Sequence, residues 1–445
     1  MHPSCRGASS IMKHFLLIIL AINIQIALIA CNGAKATPVG LTDNRQGFVV
    51  LNNSEALSKQ LSARNTKYII QEDLNLKGGR LSIPEGCVLY FEGGSLYNGV
   101  IVYNNTYLDG NIQIHCNCEG NLANDVVSPS MYGAYGNGIN DDSDAIQKAI
   151  NSGKNVFFKR ATYVVEKPIV LVGQNIVVDF NLATITKKNG RTYTYKFKGK
   201  TNITKSVLII QPHESNTSGH IVLKNLQLQG NYINNGIEAL WCRNVIMENV
   251  RISKTNTGLL YSGFTNSFRD ITIWDSKVGF DVDNSTATLF ERCFSTKCGW
   301  SIKKSNATLI CCSSDDFDPC YRFESSVVAM TGCTFESKGV GMDTYDSSVD
   351  MNGEFELHVY DSTKEVSFIK AHDNSNVICG NSTFRLNNYL KKKIPSSSQF
   401  EASGCSSIAI DGKVRFEGNK IHINAGKDGK ILYKGKDLAT GIHTL

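Results

Sequence analysis

Six rows of sequence between His220 and Leu357 decide the fold: "HIVLKNLQLQG" from His220, "NVIMENVRISK" from Asn244, "NSFRDITIWDS" from Asn266, "ATLFERCFSTK" from Ala287, "ATLICCSSDDF" from Ala307 and "SVVAMTGCTFE" from Ser326. One apolar column runs Leu226, Val250, Ile271, Cys293, Cys312, Cys333, in steps of 24, 21, 22, 19 and 21 residues. A second column, Leu259, Phe280, Trp300, Tyr321, Val340, keeps steps of 21, 20, 21 and 19. Repetition at this period marks a solenoid, because one unit cannot bury its apolar face alone and must stack on a neighbour. The units alternate apolar and polar residues and are cut by Asn, Ser and Gly, so they read as strands. A coil of about 20 residues with short strands is one turn of a parallel β-helix, its neighbours roughly 4.8 Å away. Cys293, Cys312 and Cys333 then form an internal ladder of small apolar side chains.

Upstream lies "MYGAYGNGINDDSDAIQKAINSGKNVFFKRATYVVEKPIVL", residues 131–171. It resembles the opening motif of the pectate-lyase-like superfamily, which includes phage tailspikes, through Gly133, Gly136, Gly138, Asp141, Asp142, Ile146, Ala149, Ile150, Val156, Phe157 and Tyr163. The resemblance covers about residues 131–390 and implies an all-β, right-handed, single-stranded parallel β-helix opened by a short capping helix. It leaves the chemistry open, since such folds host lyases, hydrolases, epimerases and non-catalytic binders. Asp141, Asp142 and Ser143 offer oxygens to a helix N-terminus, and Ile146, Ala149 and Ile150 form its buried stripe. Capping explains the two aspartates better than catalysis does.

Residues 1–30 read as a signal peptide that starts at Met12 and ends in Leu28-Ile29-Ala30-Cys31. Its end resembles a bacterial lipobox, which implies lipidation of Cys31 and an exported, cell-envelope protein, tethered in the periplasm or at the outer membrane. Residues 31–55 read as a tether and 56–120 as a small β-rich module, either first coils or a cap. Residues 121–390 form the helix, and 391–445 supply strands that close it. Without residues 1–30 the chain keeps 44 basic against 40 acidic residues, a balance of +4. That is no nucleic-acid footprint. Twelve of the fourteen cysteines remain when Cys5 and Cys31 are set aside. Several occupy inward column positions, where free thiols act as small hydrophobes.

Alternation turns Asp270, Thr272 and Trp274 outward when Ile271 and Ile273 point in. The same rule exposes Arg251, Arg292, Phe294 and Cys311, followed by turns carrying Asp275, Lys297, Asp315, Asp316 and Asp318. Candidate catalytic residues are therefore Asp270, Asp315, Asp316, Arg251 and Arg292. Candidate substrate contacts are Trp274, Asp275, Phe294 and Lys297. "SSDDFDPC" fits a glycosidase carboxylate pair, a Ca2+ site built from Asp315, Asp316 and Asp318, or a solvated turn. Ca2+ is the only cofactor the sequence suggests.

A second outward strip, Asp281, Asp283, Ser301, Lys303, Arg322, Glu324 and Asp343, alternates in sign and reads as an ion-pair ladder. The basic, Tyr-rich stretch 187–206 reads as a solvated hairpin or as one wall of an anionic-sugar cleft. The superfamily's polygalacturonase motifs are matched only at Asp315-Asp316, and Arg251-Ile252-Ser253 lacks their Lys. These residues predict a polysaccharide partner, with membrane contact only through Cys31. The protein is either a polysaccharide lyase or glycoside hydrolase, or a non-catalytic carbohydrate-binding or adhesive solenoid. A bare stalk is a third reading.

Overall fold

The structure, a computed structural model, describes residues 47–173, 175–187, 190–197, 200–211, 220–359, 366–389, 399–411, 415–417 and 421–443. The signal segment, Cys31, most of the tether, His213 and Lys391–Lys393 lie outside the described residues.

Strands Ile221–Gln229, Val245–Ser253 and Ser267–Trp274 stack in parallel, with Leu226 on Val250 and Val250 on Ile271. Each bends where its backbone turns left-handed, at Asn225 (φ 59°), Asn249 (φ 52°) and Asp270 (φ 54°). On the next coils the bend separates two strands and falls at Arg292 (φ 50°) and Cys311 (φ 52°). Here face A is the side before this corner, face B the side after it, and face C the separate 12-stranded sheet that completes each coil. Ile237–Arg243, Thr257–Phe264, Val278–Thr286, Trp300–Lys303 and Tyr321–Glu324 are successive strands of face C.

The cysteine column is internal as expected. Cys293, Cys312 and Cys333 are at most 1% exposed, and the amides of Ser313 and Thr334 donate to the carbonyls of Cys293 and Cys312 at 3.0 and 2.9 Å. On face C, Leu259, Phe280, Trp300 and Tyr321 sit in register. The Phe280 and Trp300 rings stack at 3.7 Å, and Phe290 meets Trp300 edge-on. Val340 does not continue the column. Tyr321 pairs with Met342, the same 21 residues on that separate Trp300 from Tyr321, and Val340 pairs with Ser367.

The corner from face C to face A holds a buried polar ladder. The amides of Ser285, Ser305, Ser326, Ser347 and Ser375 each donate to the hydroxyl of the serine one coil on, ending at Ser406. A turn that leaves its amides unpaired would cost free energy when buried. A hydroxyl supplies the acceptor in little volume.

Helix Ser143–Asn151 opens the stack and buries Ile146, Ala149 and Ile150 completely. Only part of the expected capping is present. Asp141 accepts the Ser143 amide at 3.0 Å, whereas Asp142 turns back to the preceding loop and accepts the Tyr135 and Gly136 amides at 2.6 and 3.2 Å. Gly133 is left-handed (φ 95°), and a Cβ there would lie 2.3 Å from the Cys116 carbonyl oxygen. Phe158, not Phe157, enters the core. The segment before the helix consists of parallel-stacked strands whose core is continuous with the rest. Antiparallel pairs Ile421–Ala425 with Gly441–His443, and Lys430–Tyr433 with Lys436–Asp437, cover the far edges, as an exposed edge requires.

All twelve cysteines of the described residues are unpaired, and only Cys311 and Cys405 are exposed. Burial pushes the thiols of Cys116 and Cys320 up to about 12 and that of Cys298 to about 11. A thiolate-selective reagent at neutral pH is therefore expected to label Cys311 and Cys405 first. Peptide mapping that found Cys298 or Cys312 modified as fast would contradict this packing.

Candidate functional site

Asp270 and Arg292 hold the left-handed corner between faces A and B, and they bind each other. Arg292 donates from Nε and from its second terminal nitrogen to the two Asp270 carboxylate oxygens, at 2.7 and 2.9 Å. It also pairs with Glu291. Both were expected as reactive groups. The structure instead makes them a bidentate pair in which each satisfies the other, and the bond raises the Arg292 pKa. Beside them on face A, Asp179, Lys224, Glu248, Arg269 and Glu291 stand in direct register on consecutive coils. Their signs alternate, and ion pairs join them at 3.4, 3.8 and 3.0 Å. Face A is thus a charge ladder.

The acidic turn also comes apart. Asp315 stays on face B; Asp316 turns left-handed and pairs with Lys338; Asp318 accepts the Val340 amide at 2.9 Å. The three carboxylates diverge, and no group of three or more His, Cys, Asp or Glu side chains among the described residues converges on a cation position.

Face B keeps its outward residues in two columns. One runs Arg251, Thr272, Phe294, Ser313, Thr334. The other runs Ser253, Trp274, Thr296, Asp315, Glu336, Glu356, Arg385. Trp274, 39% exposed, therefore shares a column with Asp315, two coils away, and Phe294 lies half-buried beside it. Arg251 is exposed on the neighbouring column. Asp275 and Lys297 occupy left-handed positions at the next corner. The Asp275 carboxylate accepts the Tyr232 hydroxyl at 2.6 Å, and the Lys297 amide donates to the Asp315 carbonyl at 2.9 Å.

Three carboxylates on consecutive coils are the unusual feature. Like charges directly opposite each other destabilise a sheet, so Asp315, Glu336 and Glu356 need a local answer. Glu356 has one, since it accepts from Asn387 at 2.8 Å and pairs with Arg385 and with His358 Nε2 at 3.2 Å. Its partial burial opposes the charge, yet those bonds outweigh it and hold its pKa below the usual range. Asp315 moves the other way. Burial, then the charges of Glu336 and Asp316, raise its pKa against a 2.8 Å bond from the Ser313 hydroxyl. Two carboxyl groups two coils apart, their pKa values pushed in opposite directions, are the electrostatic pattern of an acid and a base.

Glu336, Glu356, His358, Arg385 and Asn387 were missed in the sequence. The signal available was outward alternation in "TFESK", "EFELHV" and "FRLNN", but the step of 29 residues from Glu356 to Arg385, against 20 from Glu336 to Glu356, hides the register. On face C the outward strip is in register, but the ion pair within it, Arg322 with Glu324, runs along one strand and not from coil to coil. Asp281, Ser301, Arg322 and Asp343 align, Arg322 binds Glu324 at 2.7 Å, and His372 lies 3.1 Å from Asp343.

The sequence matches no protein-family model and no curated protein. Among solved structures, the chain is similar to a tailspike of an Acinetobacter phage, with TM-score 0.60 and 17% identity over 72% of this chain and 64% of that one. It is also similar to the enzymatically active domain of tailspike protein 2 of bacteriophage CBA120, with TM-score 0.50 and 16% identity over 70% of this chain and 52% of that one. The chain thus spans less than two thirds of the length of either. At these identities the likeness shows the fold, and the fold is an all-β parallel β-helix.

Proposed function

We propose that the protein cleaves a polysaccharide on face B by acid–base hydrolysis. The observation that carries this reading is the opposed pair, with the Asp315 pKa raised and the Glu356 pKa lowered two coils apart on one open column. Asp315 would protonate the leaving glycosidic oxygen, and Glu356 would activate water. Two coil steps place their backbones about 9.6 Å apart, near the roughly 6.5–9.5 Å separation of inverting glycosidases. Trp274, two coils before Asp315, offers a ring face to a sugar, and Arg251 offers donors to its hydroxyl or carboxylate groups. A tailspike-like fold, one neighbour of which is named as enzymatically active, agrees with this reading. Export and an anchor at Cys31 would set such a site facing glycans outside the cytoplasm.

Saturation of Glu356 by three donors favours a second reading, a non-catalytic glycan binder. A product assay on acidic and neutral polysaccharides separates the two. New reducing ends without absorbance near 235 nm support hydrolysis. Absorbance at that wavelength would mean elimination, and retained binding without products would mean a binder. The rate should also depend on pH as a bell on the acid side. Its rising limb should lie below the ordinary Glu 4.5, and its falling limb above the ordinary Asp 3.8, where Asp315 loses its proton. A rate that keeps rising through pH 8 would remove Asp315 as the acid.

A further inference from the structure

The basic stretch after Lys187 forms an antiparallel hairpin, Tyr193–Phe197 with Lys200–Thr204. The chain that leaves it roofs the outer side of face C. Glu238 shows the effect. It occupies an outward position, paired with Ile209 and Leu260, yet is only 4% exposed. Its carboxylate accepts the hydroxyls of Thr204 and Ser206, the latter at 2.6 Å. Between hairpin and sheet lies a groove of about 660 Å³ whose lining includes Lys205, Tyr232, Asn235, Leu240, Asn256, Leu260 and Lys277. That volume suits a small ligand or a few sugar units.

The chemistry of the lining narrows the ligand. Its one carboxylate, Glu238, is buried and satisfied. Lys205 and Lys277 are exposed and form no ion pair with another described residue, so they are the charged groups of the lining that a ligand can reach. Tyr232, 42% exposed, has its hydroxyl tied to Asp275, which fixes its ring before any ligand arrives and lowers the ordering cost of binding. Asn235 and Asn256, joined at 3.2 Å, present further amide donors and acceptors, and Leu240 and Leu260 give an apolar floor. A bare anion would leave that floor and the ring uncovered.

We infer that this groove binds an acidic oligosaccharide segment. Lys205 and Lys277 take its charged groups, Tyr232 its ring face, and Asn235 and Asn256 its hydroxyls. The groove lies around the corner from the carboxylate column of face B, so the inference holds whether or not that column cleaves anything.

The test is calorimetric titration of the full-length protein with a uronate oligomer of four to six units, a sulfated oligosaccharide and a neutral cello-oligosaccharide. An acidic oligomer should bind and the neutral one should not, with affinity falling as salt rises. Lys277→Ala and Lys205→Ala should each weaken binding about 10-fold or more, whereas Lys436→Ala, at an exposed lysine of the C-terminal strand pair, should leave it unchanged. Leu260→Trp fills the floor without altering charge and should abolish binding in a protein with an unchanged circular dichroism spectrum. If neither acidic oligomer binds at millimolar concentration, if the neutral one binds equally, or if the lysine variants keep full affinity, the inference is wrong. Loss in Trp274→Ala with retention in the lysine variants would move the binding to face B and overturn it equally.

Discussion

Asn at position 315 is expected to slow glycan cleavage by about 10²–10⁴-fold, the range that a positioned general acid contributes, without lowering stability. Asp315→Asn keeps the shape and still accepts the Ser313 hydroxyl bond, but has no proton to give the leaving oxygen. The stability side follows from the raised pKa. A carboxyl whose folded value lies above its unfolded one stabilises the fold fully below the unfolded value, and that contribution is lost as pH rises through the folded value. At neutral pH the wild-type carboxylate is therefore a strained charge facing Glu336 and Asp316, and the amide removes it. Reducing-end rates and urea midpoints measured on both proteins decide the matter. A variant that cleaves at the wild-type rate would show that the column serves another purpose.

Trp300→Ala should be the most damaging single truncation in the stack, costing about 3–5 kcal/mol, as large aromatic-to-Ala changes in cores do. Its indole is 1% exposed, lies face-on against Phe280 and edge-on against Phe290, and donates from Nε1 to the Ser313 carbonyl at 3.3 Å. No neighbouring side chain can follow a vanished indole into the gap, because each is held in register by its own strand. Repeat stability is close to a sum of units and nearest-neighbour interfaces. The loss should therefore appear as faster amide exchange in the coils containing Phe280, Trp300 and Tyr321, with the Ser143–Asn151 helix protected as before. An unchanged urea midpoint would refute this account of the core.

Inward columns were legible in the sequence because burial permits few residue types and the coil period repeats them, so Leu226 to Cys333 could be counted without coordinates. Val340 slipped because Val340 and Met342 stand two positions apart on the same alternation, and a count through turns does not choose between them. Outward columns carry no such constraint. Asp315, Glu336 and Glu356 come together only through backbone register, across coils of unequal length. The corner at Asn225, Asn249, Asp270 and Arg292 could have been read better. Asn and Asp tolerate left-handed backbone better than other non-glycine residues, so a column that begins Asn, Asn, Asp announces a bend before it announces chemistry. The alternation rule that placed Asp270 outside was right about direction and silent about the partner waiting one coil away.

The serine ladder from Ser285 to Ser406 carries a mechanical consequence. Each rung joins a coil only to the next, and no described disulfide crosses between turns. Pulled at its C-terminal end, the chain would come off like thread from a spool. Each released turn, such as the 21 residues between Trp300 and Tyr321, would add about 70 Å of slack at roughly 3.4 Å per residue. The turns still wound would hold the same grip as before, so such a protein would absorb tension one coil at a time and rewind from whatever length remained.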